Sequence, residues 1–279
     1  DVEEKTFGLS SSSINSKKTS KTKAVIPMDY GGASCNIFEI NQFTKDNNLV
    51  LIEDAAESLG STIQGKKVGS QSDCSIFSFC GNKVLTTGEG GAIVTDSKKI
   101  YDKIKLIRSH GRMDLSKNYF ENEADSQYTS LGYNWRMSSL TAALGISQIN
   151  KLDKLIKLRQ NAALKISNGL SKFKQISIFN PPSGYDNIHQ MYTIRLTSHE
   201  LRNRLHDFLT MKQIFSKVYF HPIHMTDFYK NKSSFIESLP VTELLSKQIL
   251  TIPMYPNMTN DEISYVLDAF NEFFENELV

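Results

Sequence analysis

One lysine stands apart from the other basic residues of this 279-residue chain. Lys83 lies in "SIFSFCGNKVLTTGEGG" (Ser75–Gly91), between a strand-like apolar run and a turn rich in glycine and threonine. Flexible glycine on both sides lets a bound molecule approach the backbone closely. Upstream, "LVLIEDAAES" (Leu49–Ser58) sets two carboxylates, Glu53 and Asp54, directly after an apolar run. In an open α/β sheet, ligands bind outside the carboxyl ends of the strands. Two strand ends could therefore present a carboxylate and an amine to one crevice. Such a donor set suits pyridoxal phosphate: the amine takes the cofactor's aldehyde and an aspartate keeps the ring nitrogen protonated. A hydroxyl such as Ser78, with backbone N–H groups, holds the phosphate. From these residues alone a second reading stays open, a surface hairpin with one solvated lysine.

The elements that must position these groups are legible as changes of period. "KAVIPMDY" (Lys23–Tyr30) reads as a buried strand and "NIFEINQFTKDNN" (Asn36–Asn48) as an amphipathic helix. "LVLIEDA", "CSIFSFC" and "GAIVTD" read as three further strands. "SKKIYDKIKLIRSHG" (Ser97–Gly111) reads as a helix, with Ser97 as N-cap and Gly111 past its end. Short apolar strands alternating with helices predict an α/β sheet that is at least partly parallel and covered on both faces. A helical pattern follows from Met137 to about Phe173. After it, "QISIFN", "MYTIRL", a helix around Glu200–Met211, "SKVYFHP" and two helices beginning near Val241 and Thr259 form a smaller α+β pattern. The expected division is a large α/β domain over residues 1–155 and a smaller α+β domain over 156–279. The lysine-rich stretch within Asp1–Lys23 reads as a solvated loop.

Composition narrows the function classes. Lys+Arg 32 against Asp+Glu 30 leaves +2, with no polycationic surface for nucleic acid. No apolar stretch approaches the roughly 20 residues that cross a bilayer, so no membrane partner is expected. Three cysteines (Cys35, Cys74, Cys80) without a framework spacing favour a reducing compartment, and the expected location is cytoplasmic. His221 and His224 in "FHPIH" are spaced across a proline with no third ligand nearby, so no metal site is expected. Cys80 has no adjacent base that would make it a nucleophile.

Three segments in order, "EDAAES" (Glu53–Ser58), "SFCGNKVLTTGEGG" (Ser78–Gly91) and "LGYNWRMSSLTAALGISQINKLD" (Leu131–Asp153), resemble the DegT/DnrJ/EryC1/StrS family of sugar aminotransferases. Within it, the combination of "EDAAE" with "GNK…TTGEGG" is similar to members acting at a 4-keto position. The resemblance covers nearly all of the chain and weakens beyond Gln175. It implies the pyridoxal-phosphate-dependent transferase fold of type I, aspartate aminotransferase-like, with a mostly parallel sheet in the large domain. It also implies amino transfer, with glutamate as donor, to a nucleotide-linked keto sugar, by a homodimer. Residue by residue it implies Lys83 as the lysine that carries the cofactor, Asp54 at the pyridine nitrogen and Ser78 at the phosphate. Glu57 stands near the ring oxygen, where many relatives have glutamine. Asn134 would reach the phosphate of the other subunit. His221 and His110 would contact substrate, whereas Gly88, Gly90 and Gly91 are backbone devices. Trp135 and Arg136 lie near the expected subunit contact.

One departure counts against a complete site. The leading segment of such enzymes carries an "NGT"-like turn for the phosphate and a ring-stacking aromatic, and the chain opens instead at "DVEEKTFGL". The expectation is a piece of a longer chain, or a natural shortened form with weak cofactor retention. Two rivals follow: an inactive or regulatory remnant of the same fold, and a sugar dehydratase. The dehydratases carry histidine in place of the cofactor lysine, which Lys83 argues against.

Overall fold

A computed structural model describes residues 1–112, 128–230 and 238–276. In chain order the elements are α1 (Ser11–Lys17), β1 (Ala24–Val25), α2 (Ile37–Asp46), β2 (Val50–Asp54), β3 (Thr62–Ile63), β4 (Lys66–Lys67), β5 (Cys74–Ser78), β6 (Gly91–Val94) and α3 (Lys98–Arg108). Then come α4 (Ser139–Ile149), α5 (Leu152–Leu170), β7 (Ile176–Ile178), β8 (Tyr185–Asp186), β9 (Tyr192–Leu196), α6 (His199–Met211), α7 (Asp227–Lys230), α8 (Pro240–Gln248), β10 (Ile249–Ile252) and α9 (Asn260–Asn276).

The first sheet has the order β1-β2-β5-β6. β1 pairs parallel with β2, β2 pairs parallel with β5, and β6 runs antiparallel to β5. The register sets Glu53 opposite Ser75 and Asp54 opposite Ile76. Because side chains alternate along a strand, Leu51, Glu53, Ser75 and Phe77 share the buried face. Ile14, Cys35, Ile37 and Ile40, contributed by α1, α2 and the loop before α2, pack with Val25 and Leu51 there. The opposite face carries Asp54 and Ser78 together with the exposed Val50, Ile76 and Ile93. Among the described residues this face has no such cover, which differs from the expectation of cover on both faces. A continuous apolar run marks a strand suited to burial on either side, but only what packs against it decides which side is covered.

A second sheet, β10-β9-β7, is antiparallel throughout. Its strands pack with α5, α6 and α9 into a core that includes Ile166, Ile194, Leu205, Leu250 and Phe270. A small sheet, β4-β3-β8, ties Thr62–Ile63 to Tyr185–Asp186.

Other expectations change in detail. The helical stretch from Met137 is two helices, since α4 ends at Ile149 and α5 begins at Leu152. The lysine-rich stretch is, from Lys18 to Lys23, the exposed loop expected. Before it the chain forms a helix that the sequence reading did not place, α1, capped by Ser10, whose side chain accepts from Ser13 N–H. "KAVIPMDY" keeps only Ala24–Val25 as regular strand and adds a single bridge from Met28 to Asp54. "SKVYFHP" contributes only one bridge, Lys217 to Thr251. β10 is absent from the sequence reading because its short run directly follows α8. Cys35, Cys74 and Cys80 are unpaired, and no helix of the described residues is long and apolar enough to cross a membrane.

Phe270 is fully buried in the second core. Phe270→Ala should cost about 3–5 kcal/mol through lost transfer energy and the cavity left behind, read as a lower denaturant midpoint at unchanged slope.

Candidate active site

Parallel pairing brings the carboxyl ends of β2 and β5 to the same side. Asp54 closes β2 and Ser78 closes β5, both on the open face. Asp54 Oδ1 accepts from Ala56 N–H at 3.1 Å. Its other oxygen accepts from no group among the described residues. Ser78 Oγ accepts from Cys80 N–H at 3.3 Å, and its hydroxyl hydrogen is committed to no acceptor among the described residues.

After Ser78 the chain turns. Lys83 N–H donates to Cys80 C=O at 3.0 Å, and Thr87 N–H donates to Phe79 C=O at 2.9 Å. Gly90 takes φ +149, and a Cβ there would lie 2.7 Å from Thr87 Oγ1. The turn therefore closes only over glycine at this position. At its head, Lys83 Nζ stands 3.5 Å from Glu57 Oε1, with side chains 16% and 5% exposed. Glu57 Oε2 accepts from Gly31 N–H at 3.0 Å. The lysine is thus a largely buried amine facing one carboxylate, not a solvated surface group.

The adjacent pair Glu53 and Asp54 separates by strand alternation. Glu53 is fully buried and accepts from Gly69 N–H and from the hydroxyls of Ser72 and Ser75. It is an internal anchor. Asp29, also buried, accepts from Cys35 N–H at 2.8 Å and Ser58 Oγ–H at 2.6 Å. That second bond pins the turn that follows Asp54 and carries Glu57. Burial, then the Glu53 charge, pushes the Asp29 carboxyl up to about 7, and burial likewise raises Glu53.

The other expected residues lie elsewhere. Asn134 is exposed, and its Oδ1 accepts from Arg136 Nε–H at 3.0 Å. It pairs with Ser109, and His110 N–H donates to Tyr133 C=O at 2.9 Å. His110 and Asn134 are therefore neighbours, with no hydrogen bond to the Lys83 group among the described residues. His221 lines a cavity of about 1080 Å3 together with Phe7, Tyr30, Tyr219 and Phe220; Lys83, Asp54, Glu57 and Ser78 are not on its wall. The cavity and the lysine connect through consecutive residues. Tyr30 Oη–H donates to Tyr219 C=O at 2.6 Å, and Gly31 donates to Glu57. Nothing in the sequence marks Asp29 or Tyr30 beyond the end of an expected strand, and nothing marks Gly31. The described residues hold no cluster of three or more metal-ligating side chains.

A match to the model of the DegT/DnrJ/EryC1/StrS aminotransferase family extends over residues 1–271. The chain belongs to this family. It is 31% identical over 277 residues to a GDP-perosamine synthase of Escherichia coli O157:H7, covering 99% of this chain and 72% of that protein. It is 33% identical over 261 residues to a UDP-4-amino-4,6-dideoxy-N-acetyl-beta-L-altrosamine transaminase of Campylobacter jejuni, covering 93% and 68%. Among solved structures, Helicobacter pylori PseC, an aminotransferase involved in the biosynthesis of pseudoaminic acid, superposes with TM-score 0.91 at 25% identity, covering 99% of this chain and 73% of that one. With membership in the DegT/DnrJ/EryC1/StrS family come the type I fold, the aminotransferase class and pyridoxal phosphate as cofactor.

The donor set fits that cofactor chemically. A buried amine could take the aldehyde, a strand-end carboxylate with an uncommitted oxygen could face the ring nitrogen, and a hydroxyl with an uncommitted proton could serve the phosphate. Gly88, at φ +81 with nothing within 4 Å of a Cβ position, leaves open space in the turn.

Asp29 generates a pH prediction with a defined sign. Its folded value of about 7 stands above the ordinary 3.8, so the folded chain binds the extra proton between these limits. Stability from this group is full below the lower value and is lost as pH rises through the upper one. Asp29→Asn should therefore gain stability relative to the parent between about pH 5 and about pH 8, on the order of 2 kcal/mol. Paired melting curves at the two pH values measure it.

Proposed function

We propose that this pyridoxal-phosphate-dependent aminotransferase moves an amino group from glutamate to a nucleotide-linked keto sugar, most simply a 4-keto-6-deoxy sugar. The carrying observation is the largely buried Lys83 amine, 3.5 Å from Glu57, beside the parallel strand ends that bear Asp54 and Ser78. The relatives named above support the sugar-nucleotide class, since two of them bear names of nucleotide-sugar enzymes.

When bound, pyridoxal phosphate supplies an electron sink that makes the C–H beside an amino group acidic. In this reading Lys83 Nζ would hold the cofactor and, once freed by the amino donor, would carry the proton in the transfer from glutamate and in its reverse on the sugar ketone. Asp54 keeps the ring nitrogen protonated by a charge-assisted bond. Ser78 holds the phosphate and Glu57 faces the ring oxygen. His221, on the cavity wall, and His110 contact the sugar nucleotide. Asn134 reaches the phosphate of a second copy, which makes the unit a homodimer. The exposed apolar side chains of the same segment support that contact: Leu140 is 86% exposed and Trp135, stacked on Tyr133, is 64% exposed. Large apolar side chains left this exposed on one segment suit a partner surface. We also divide the chain into a cofactor domain, 1–155, and a smaller domain, 156–279, and place the protein in the cytoplasm. What supports the division is that the second core draws its buried side chains from Ala162 to Phe274.

Lys83→Ala should abolish the visible absorbance of bound cofactor and all transamination while leaving the circular dichroism intact; an unchanged rate overturns the assignment. Asp54→Asn should retain cofactor and lose turnover by orders of magnitude, because the ring loses its protonated nitrogen.

The dimer has its own test. Asn134→Ala protein mixed with Lys83→Ala protein should regain part of the activity that each lacks, because one hybrid site is intact. Verified hybrids with no recovery would place Asn134 outside any shared site.

A further inference from the structure

Lys83 is the only residue of its turn whose two flanking peptides are both held by one distant side chain among the described residues. The side-chain amide of Gln190 donates from Nε2 to Asn82 C=O at 2.7 Å. Its Oε1 accepts from Val84 N–H at 2.8 Å. The first contact grips the peptide entering Lys83 and the second grips the peptide leaving it. Fixing both planes fixes the backbone of Lys83 and hence the direction of its Cα–Cβ bond.

Gln190 is itself held from three sides. It is 7% exposed. Arg159 Nη1–H donates to His189 C=O at 3.0 Å and to Gln190 C=O at 3.3 Å. On either side of it, Ile188 N–H donates to Gly32 C=O and Met191 N–H to Gly31 C=O. The approach is close: Gly32 has φ +108, and a Cβ there would lie 2.6 Å from Gln190 N. Only glycine permits it. Gly31, whose C=O accepts from Met191 N–H, donates its own N–H to Glu57 Oε2. One loop therefore registers both the lysine's backbone and the carboxylate that faces its amine.

We infer that Gln190 is a positioning residue that aims the Lys83 amine at the cofactor. The inference rests on the reading of Lys83 proposed above. An amide suits the task because it offers one donor and one acceptor in a fixed plane, matching a carbonyl on one side and an N–H on the other. A carboxylate would keep the bond to Val84 N–H and turn an oxygen toward Asn82 C=O. Leucine, of similar size, would remove the partner of both peptides and leave the Val84 N–H buried and unpaired.

The test compares the full chain with Gln190→Leu, Gln190→Glu and Leu205→Ala, the last a destabilised control in the remote core. Each is mixed with excess pyridoxal phosphate and reduced with borohydride at timed intervals. The modified lysine is then mapped by mass spectrometry, with melting temperature recorded in parallel. The expected result is labelling at Lys83 in the parent, slowed about tenfold or more in Gln190→Leu and less in Gln190→Glu. Leu205→Ala should label at the parental rate despite its lower melting point. Parental labelling rates in a folded Gln190→Leu overturn the inference, as does equal slowing by Leu205→Ala. Should Gln190→Leu not fold, parental labelling in Gln190→Glu overturns it equally. A parent labelled elsewhere than Lys83 overturns the functional reading itself, and so the two failures are told apart.

Discussion

Two neighbouring strands that run the same way end on the same side, and everything proposed for this protein depends on that. Parallel pairing of β2 with β5 sets Asp54 against Ile76, so the carboxylate and, two positions on, the hydroxyl of Ser78 emerge on one face at one edge. Antiparallel pairing would have sent one of them to the far end of the sheet. The turn after Ser78 then brings Lys83 to Glu57, three residues past Asp54, and Gly90 permits that turn to close.

Burial divides the acidic residues into two kinds. Asp29, shut away from water, commits both oxygens, one to a backbone N–H and one to a serine hydroxyl, while Glu53, also buried, gathers Gly69 N–H and the Ser72 and Ser75 hydroxyls on Oε2 alone and leaves Oε1 without a partner among the described residues. They hold the 53–58 segment in place, and the cost is a raised affinity for protons. Asp54 keeps an oxygen that accepts from no group among the described residues, and Glu57 keeps one for Lys83. Consecutive carboxylates thus do different work because a strand turns successive side chains to opposite faces.

The lysine turn is also tied to the half of the chain that carries the second sheet. Gln190 holds its backbone and Tyr30, beside Gly31, bonds to Tyr219 on the wall of the large cavity. Tyr30 Oη also lies 3.2 Å from Thr193 Oγ1 in β9. The loop from Asp29 to Gly32 is therefore the junction at which cavity wall, second sheet and Lys83 meet.

Sequence by itself determined the local elements and the chemistry they carry. The apolar runs ending in Asp54 and Ser78, the cap at Ser97 and the glycine turn around Lys83 are readable because each depends on residues close together along the chain. Family membership was readable for the same reason, through three contiguous motifs. Tertiary structure alone decided which face of the sheet is covered, that Glu53 points inward while Asp54 does not, and that Asp29 bonds to Ser58. It alone brought Gln190 to Lys83, more than a hundred positions away, |i−j| = 108 to Asn82. No periodicity records such a bond: one amide meets two peptides only when separate segments pack, and each segment looks unremarked without the other.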